Sequence, residues 1–227
     1  MSRCRPIAVI VCCLALIGCA EGPFWKAGHY SPWAQEKWSA EEQQADTLFE
    51  RKRQLSELVA QAKNSSADAQ NQAANQLKNI IHRDPVLLVK LHAISLLPDL
   101  PATASIEALH LASRDPDSRV RIAAIESWKR VNSSASVSQL QEMIGSDTDV
   151  DVRLQATRAL GTFNDPSAVS ALSLALTDNN PAIQLRATES LEKVTGEKLG
   201  ADVAAWQTYI GNANRQSIAS RDTTTIR

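Results

Sequence analysis

Apolar residues recur in this chain at helical spacing, and four stretches share one nine-residue arrangement. These are Val89-Lys90-Leu91-x-Ala93-x3-Leu97, Val120-Arg121-Ile122-x-Ala124-x3-Trp128, Val152-Arg153-Leu154-x-Ala156-x3-Leu160 and Ile183-Gln184-Leu185-x-Ala187-x3-Leu191. The copies start 31, 32 and 31 residues apart, and each is preceded five positions earlier by an aspartate, Asp84, Asp115, Asp147 or Asp178. A fixed period of this length, filled with helical pattern, predicts a stack of supersecondary units, each burying its apolar face against the next. No run alternates apolar and polar residues, so no strand is expected.

Within each unit the pattern predicts a helical hairpin. A first helix, such as Ala67 to His82 with Ala73, Leu77, Ile80 and Ile81 on one face, leads through a tight turn to the helix that carries the shared arrangement. Three positions before the Val or Ile stand Asp117, Asp149 and Asn180, good N-caps, with Pro181 at a first helical position. The first unit departs, with Val86 there and Asp84-Pro85 placed to cap earlier. Ala93, Ala124, Ala156 and Ala187 let helices approach, while the residues four positions to either side fill the seam. Trp128, where the other units have Leu, needs a larger hole, so the second unit should pack differently.

The remainder divides around this region. Residues 1–18 have a basic start (Arg3, Arg5) and an apolar run from Ile7 to Ile17, too short to span a bilayer, and read as an export signal. Residues 19–38 mix Gly and Pro with five aromatics, including Trp25, Trp33 and Trp38, as an irregular leader. Residues 39–66 should form a capping helix opened by the box Ser39-x-x-Glu42, with Leu48, Leu55, Leu58, Val59 and Ala62 on one face, and closed by Asn64-Ser65-Ser66. The hairpins occupy 67–194, a C-terminal capping helix 195–210 with Trp206 packed on the fourth hairpin, and a polar, disordered tail 211–227.

Cysteine usage narrows the chemistry. All four, Cys4, Cys12, Cys13 and Cys19, lie in or at the edge of the signal, so the exported chain keeps only Cys19 and has no internal disulfide. Leu16-Ile17-Gly18-Cys19 resembles the lipobox of bacterial lipoproteins. The resemblance implies cleavage before Cys19, acylation there, and stable anchoring by more than one chain at about 0.8 kcal/mol per buried methylene. Ala20 follows the cysteine, and the resemblance then implies the outer membrane, facing the periplasm. Removing residues 1–18 takes away two arginines, so 22 basic residues remain against 25 acidic ones. That balance gives no general pull towards nucleic acid.

The order Asp-x-Asp/Asn-x-x-Val-Arg-x-x-Ala-x3-Leu resembles the HEAT-repeat consensus in its short bacterial form, over all four hairpins. The resemblance implies an all-α, right-handed α-solenoid of about four HEAT-like helical hairpins with helical caps. The second helices would line the concave side, and a ladder would join Asp115 with Arg121 and Asp147 with Arg153. Lys90 and Gln184 replace the arginine in the outer units, leaving the ladder in question at both ends.

Catalytic signatures are lacking. There is no Gly-rich phosphate loop, His-Glu-x-x-His or Gly-x-Ser-x-Gly, and His29, His82, His92 and His110 show no metal-ligand spacing. No catalytic residue, metal or cofactor is therefore assigned. One enzyme class looks similar, the HEAT-like lyases that attach bilin pigments, but an exported protein would not meet their substrate. The side chains three and six positions after the Val should face outward in rows, and they include His92, Glu126, Gln155, Arg158, Arg186 and Glu189. Their mixed charge suits a folded protein or an extended peptide better than nucleic acid. The expected function is a non-catalytic, envelope-anchored protein-interaction scaffold, with a ligand-free structural spacer, or a HEAT-like repeat enzyme or subunit such as a bilin-lyase-like protein, as the alternatives.

Overall fold

The computed structural model describes residues 47–222. The chain divides into two compact units, Met1–Phe49 and Glu50–Arg227. Of the first, only residues 47–49 are described, and Cys19, the leader, the Ser39 box and the signal lie outside the described residues. The second unit is helical throughout its described length.

Its helices are α1 (Leu48–Lys63), α2 (Ala67–Arg83), α3 (Leu87–Leu96), α4 (Ala102–Ala112) and α5 (Ser118–Val131), then α6 (Ser134–Ser146), α7 (Val150–Leu160), α8 (Pro166–Ala175), α9 (Pro181–Thr195) and α10 (Val203–Asp222). Local chemistry sets their ends. Asp117, Asp149 and Asn180 sit in extended conformation and accept hydrogen bonds from amides of the first turns of α5, α7 and α9. Each such cap contributes on the order of 1 kcal/mol. Val86 caps α3 without a side-chain bond, while Asp84 accepts from the Val86 amide at 2.8 Å. Helices α5 and α9 stop at left-handed residues, Asn132 (φ 47°) and Gly196 (φ 77°), the two residue types that tolerate this conformation best.

Pairs α2/α3, α4/α5, α6/α7 and α8/α9 pack as hairpins, and α3, α5, α7 and α9 pack in succession as one layer. This is a helical solenoid. Val89, Ala93 and Leu97, and their equivalents Val120-Ala124-Trp128, Val152-Ala156-Leu160 and Ile183-Ala187-Leu191, are all fully buried along the seam. Burial of apolar area at about 25 cal/mol per Å2 is the main stabilising contribution in such a stack. A second device recurs in alternate units. Seven positions after the Val or Ile, the hydroxyls of Ser127 and Ser190 donate to the Ile94 and Thr157 carbonyls of the preceding second helix, at 2.9 and 3.1 Å.

The packing of the first helices is uneven around the second unit. First helices α2 and α4 run close together, as do α6 and α8, whereas α4 and α6 approach only weakly. Trp128 is fully buried, donates its indole N–H to Ser113 Oγ at 2.9 Å, and meets the His110 ring edge-on at 5.0 Å. His110 is in turn hydrogen-bonded to Gln139 of α6.

Half-units close the array. Helix α1 occupies the place of a second helix before α2, burying Leu55, Val59 and Ala62 with Leu58 half-buried. Helix α10 follows as a lone first helix against α8 and α9. Its Trp206 is fully buried and donates to the Gly200 carbonyl at 2.9 Å, and Asp202 accepts from the Ala205 amide at 3.0 Å. The expected end of this helix at residue 210 is corrected: α10 continues through Gly211 to Asp222, so the stretch 211–222 is not a disordered tail. Nothing after Ile210 interrupts it, because Gly211 meets no crowding and no proline follows before Asp222.

Candidate functional site

Two surfaces carry the polar chemistry of the array: the edge where first helices turn into second ones, and the outer face of the second helices.

At the turn edge a ladder runs between units. Each turn aspartate folds back on its own chain, so that Asp115, Asp147 and Asp178 accept from the amides of Asp117, Asp149 and Asn180 at 2.8–2.9 Å. The remaining carboxylate oxygens face the preceding unit. Arg121 forks onto Asp147 at 2.7 and 2.8 Å, and Arg153 onto Asp178 at 2.9 and 3.4 Å. The expected pairing therefore shifts by one unit. Arg121 meets Asp115, and Arg153 meets Asp147, only at the backbone carbonyl, at 2.9 and 3.0 Å. The reason is reach: the arginine projects from the first turn of its helix past its own turn towards the next one.

The ladder also extends further at the start than expected. Lys90 pairs with Asp115 at 3.1 Å, and Arg51 of α1 pairs with Asp84, acting as the arginine of a missing earlier unit. At the far end Gln184 keeps the contact to its own turn, donating to the Asp178 carbonyl at 2.8 Å. No further hairpin follows it among the described residues, so a guanidinium there would have no turn aspartate of a next unit to meet. The bond from Asp147 holds the Arg121 guanidinium above its ordinary value. Burial works against the charged form of Asp178, but the Arg153 bond and the Asn180 amide together hold its carboxyl below the usual range. Shallow clefts of about 400 and 300 Å3 open beside the ladder, the first around Arg114, Arg121 and Glu142, the second around Arg153, Thr177 and Asn179. Every ladder charge in them is already paired, which marks the ladder as architecture.

The outer face of the second helices is organised differently from the expected uniform row. His92 is half-buried and faces α1, its Nε2 lying 2.9 Å from Ser56 Oγ and 3.1 Å from the Lys52 carbonyl. It is therefore not an open contact for a partner. Glu126 is exposed and paired with Lys129 at 2.8 Å. Arg186 and Glu189 pair with each other, and the buried Nε of Arg186 has no hydrogen-bond partner. Only in the third unit are the two outward polar side chains, half-buried Gln155 and exposed Arg158, without a protein partner among the described residues.

A further row was missed by reading the sequence for polar contacts. Two positions after the Val or Ile stand Leu91, Ile122, Leu154 and Leu185, the first three half-buried and Leu185 48% exposed. The signal was present, since at about 100° per residue this position lies roughly 200° round the helix from the buried Val. Leu91, Ile122 and Leu154 pack against the core, and an apolar residue in all four copies makes a row beside the polar ones. Leu88, at 53% exposure, extends it at the first unit.

Among the described residues no group of three or more His, Cys, Asp and Glu side chains gathers to hold a metal ion, and no helix is long and apolar enough to cross a membrane. The geometry on this face thus comprises apolar side chains, an amide, a guanidinium and spaced ion pairs, which is equipment for contact.

A comparison with curated proteins gave no match. Solved structures gave matches to 17 chains, among them human deoxyhypusine hydroxylase in complex with glycerol. That structure is similar over 55% of this chain and 44% of its own, with a TM-score of 0.50 at 18% identity. At that identity the likeness is one of fold, and this chain spans less than half the length of that protein. The model of HEAT repeats matches residues 74–153 and 146–205, more than half of the chain and all four hairpins but for the start of the first. With its paired helices, buried Val-x3-Ala-x3-Leu seams and unit-to-unit aspartate ladder, the chain belongs to the HEAT-repeat family.

Proposed function

We propose that this protein is a non-catalytic scaffold that binds another protein through the outer face of its second helices, centred on the third unit. The observation that carries the reading is the contrast between the two polar surfaces. The ladder charges are mutually satisfied, while Gln155 and Arg158 stand without a protein partner among the described residues, beside the apolar row of Ile122, Leu154 and Leu185. A central apolar edge with an arginine and an amide alongside it has the composition of a protein-binding patch.

The scaffold is proposed to work at the bacterial envelope, anchored through acylated Cys19 at the outer membrane and facing the periplasm. The Leu16-Ile17-Gly18-Cys19 stretch and the loss of every other cysteine with the signal support this. Intact-mass measurement of protein purified from membranes, beside a Cys19→Ala variant, tests the anchor. A chain starting at Cys19 with a diacyl or triacyl increment, lost in the variant, is expected. An unmodified soluble chain would overturn the anchored reading. For the binding face, affinity capture of the tagged mature chain should retain a discrete protein that Arg158→Glu releases and Ser138→Glu, on first helix α6, does not. Equal retention by both variants would contradict a second-helix site and favour a ligand-free spacer.

An enzymatic reading has one observation behind it: one of the similar solved structures is that of a hydroxylase. The similarity is of fold, and enzymes and binders share this architecture.

A further inference from the structure

Helix α1 is held on the first hairpin differently from the way the hairpins are held on one another. Its backbone stands off from its neighbours, and it docks through Leu55, Val59 and Ala62 plus two polar ties. One tie is the Arg51–Asp84 pair. The other is the meeting of His92 with Ser56 Oγ at 2.9 Å and the Lys52 carbonyl at 3.1 Å. The second tie places an imidazole inside a helix–helix contact beside a lysine. We propose that the docking of α1 on the first repeat is acid-labile, with His92 as the group that takes up the proton and Lys52 as the charge that then opposes it.

The surrounding charges leave the imidazolium little to gain. From α1, Arg51 is committed to Asp84, and Arg53 lies between Glu50 and Glu57. On α3 itself Lys90 is committed to Asp115. From α5, Arg121 is held by Asp147, Glu126 by Lys129 and Arg130 by Asp99. The charged groups of α2 are Asp68, Lys78, His82 and Arg83, of which Lys78 is paired with Glu107. No carboxylate is hydrogen-bonded to the His92 ring among the described residues, so a positive charge there is met only by two uncharged acceptors, the Lys52 carbonyl and the Ser56 hydroxyl. Burial, and after it the Lys52 charge, holds His92 below the ordinary 6.5, against the pull of the Lys52 carbonyl. The sign follows: the docked state favours the neutral ring, so docking is at full strength above pH 6.5 and weakens as the pH falls below it. Undocking would expose Leu55, Val59 and Ala62 and the surface of the first repeat that they cover, an apolar area otherwise closed to partners.

The test is a nuclear magnetic resonance titration of the full mature chain from about pH 8 to about pH 5, across the range in which imidazoles charge. It follows the rings of His82, His92 and His110 and the backbone amides of residues 50–63. The expected result is a His92 midpoint below 6.5. The α1 amides should shift, and lose exchange protection, with the same midpoint. His92→Gln keeps a donor for the Lys52 carbonyl and cannot charge, so the α1 response should disappear. Lys52→Met, which leaves the backbone carbonyl in place, should raise the His92 midpoint towards 6.5 and tests the same claim should the glutamine variant fail to fold. A His92 midpoint at or above 6.5, an α1 response that survives in His92→Gln, or a midpoint unmoved by Lys52→Met would overturn the proposal.

Discussion

Arg121 illustrates how one residue joins two turns of chain. Its guanidinium forks onto Asp147 of the next unit, while one nitrogen reaches back to the carbonyls of Asp115 and Pro116 in its own. Both side chains of the ion pair are largely buried, at 13% and 7% exposure. Removing one partner leaves the other charge desolvated. Arg121→Ala should therefore destabilise the protein by about 3 kcal/mol in denaturant unfolding, and Asp147→Asn added to it should recover part of the loss. Strict additivity of the two substitutions would show that the pair is not coupled. Asp178 supplies the pH dependence. Its carboxyl lies below the ordinary 3.8 in the folded chain, so its contribution is present above that value and lost as the pH falls through its folded value. Acid unfolding followed between about pH 5 and pH 2 should be shallower in Asp178→Asn than in the parent protein.

At the scale of helices, the interfaces between units are not equivalent, and the sequence signals this only in part. Trp128 stood out as a misfit to the repeat. Its surroundings, an indole satisfied on Ser113 with the His110 ring edge-on beside it, needed the neighbouring residues in place. Trp128→Leu would install the residue found in the first, third and fourth units, yet should cost about 2–4 kcal/mol, because the cavity cannot close over a missing indole. A neutral result in thermal unfolding would mean that α4 and α6 can collapse together. Gly161 gives the opposite test. A Cβ there would lie 2.8 Å from Ser190 Cβ and 3.0 Å from its Cα, so α7 and α9 approach as closely as they do only because the side chain is absent. Gly161→Ala should destabilise by about 1–3 kcal/mol in the same assay, although alanine is the better helix former. Nothing in the repeat pattern points to Gly161, since the contact depends on a residue 29 positions away.

For the whole molecule, most of the fold was legible because period and caps agree at every level. The four Ala positions, the N-caps Asp117, Asp149 and Asn180 and the burial of Trp206 all follow from local pattern. The ladder was legible in its members and not in its register, because sequence spacing cannot say whether an arginine bends back or reaches forward. The candidate face was the least legible. Outward direction follows from helical period, but whether an outward group is already engaged depends on partners from elsewhere, such as Ser56 and the Lys52 carbonyl for His92. Two half-units end the array, one completing the ladder with Arg51 and the other reached by a unit in which Gln184 replaces the arginine.

The proposed binding of another protein at this outer face, in the third unit, is open to direct test. The most direct measurement is site-specific photo-crosslinking in living cells, with a photoreactive residue placed in turn at Gln155, Arg158 and Leu185, and at Ser138 and Ser173 on the first helices. The account predicts one discrete adduct of the same partner from the three second-helix positions and none from the other two. Adducts of equal yield from both sets, or from the first helices alone, would contradict it.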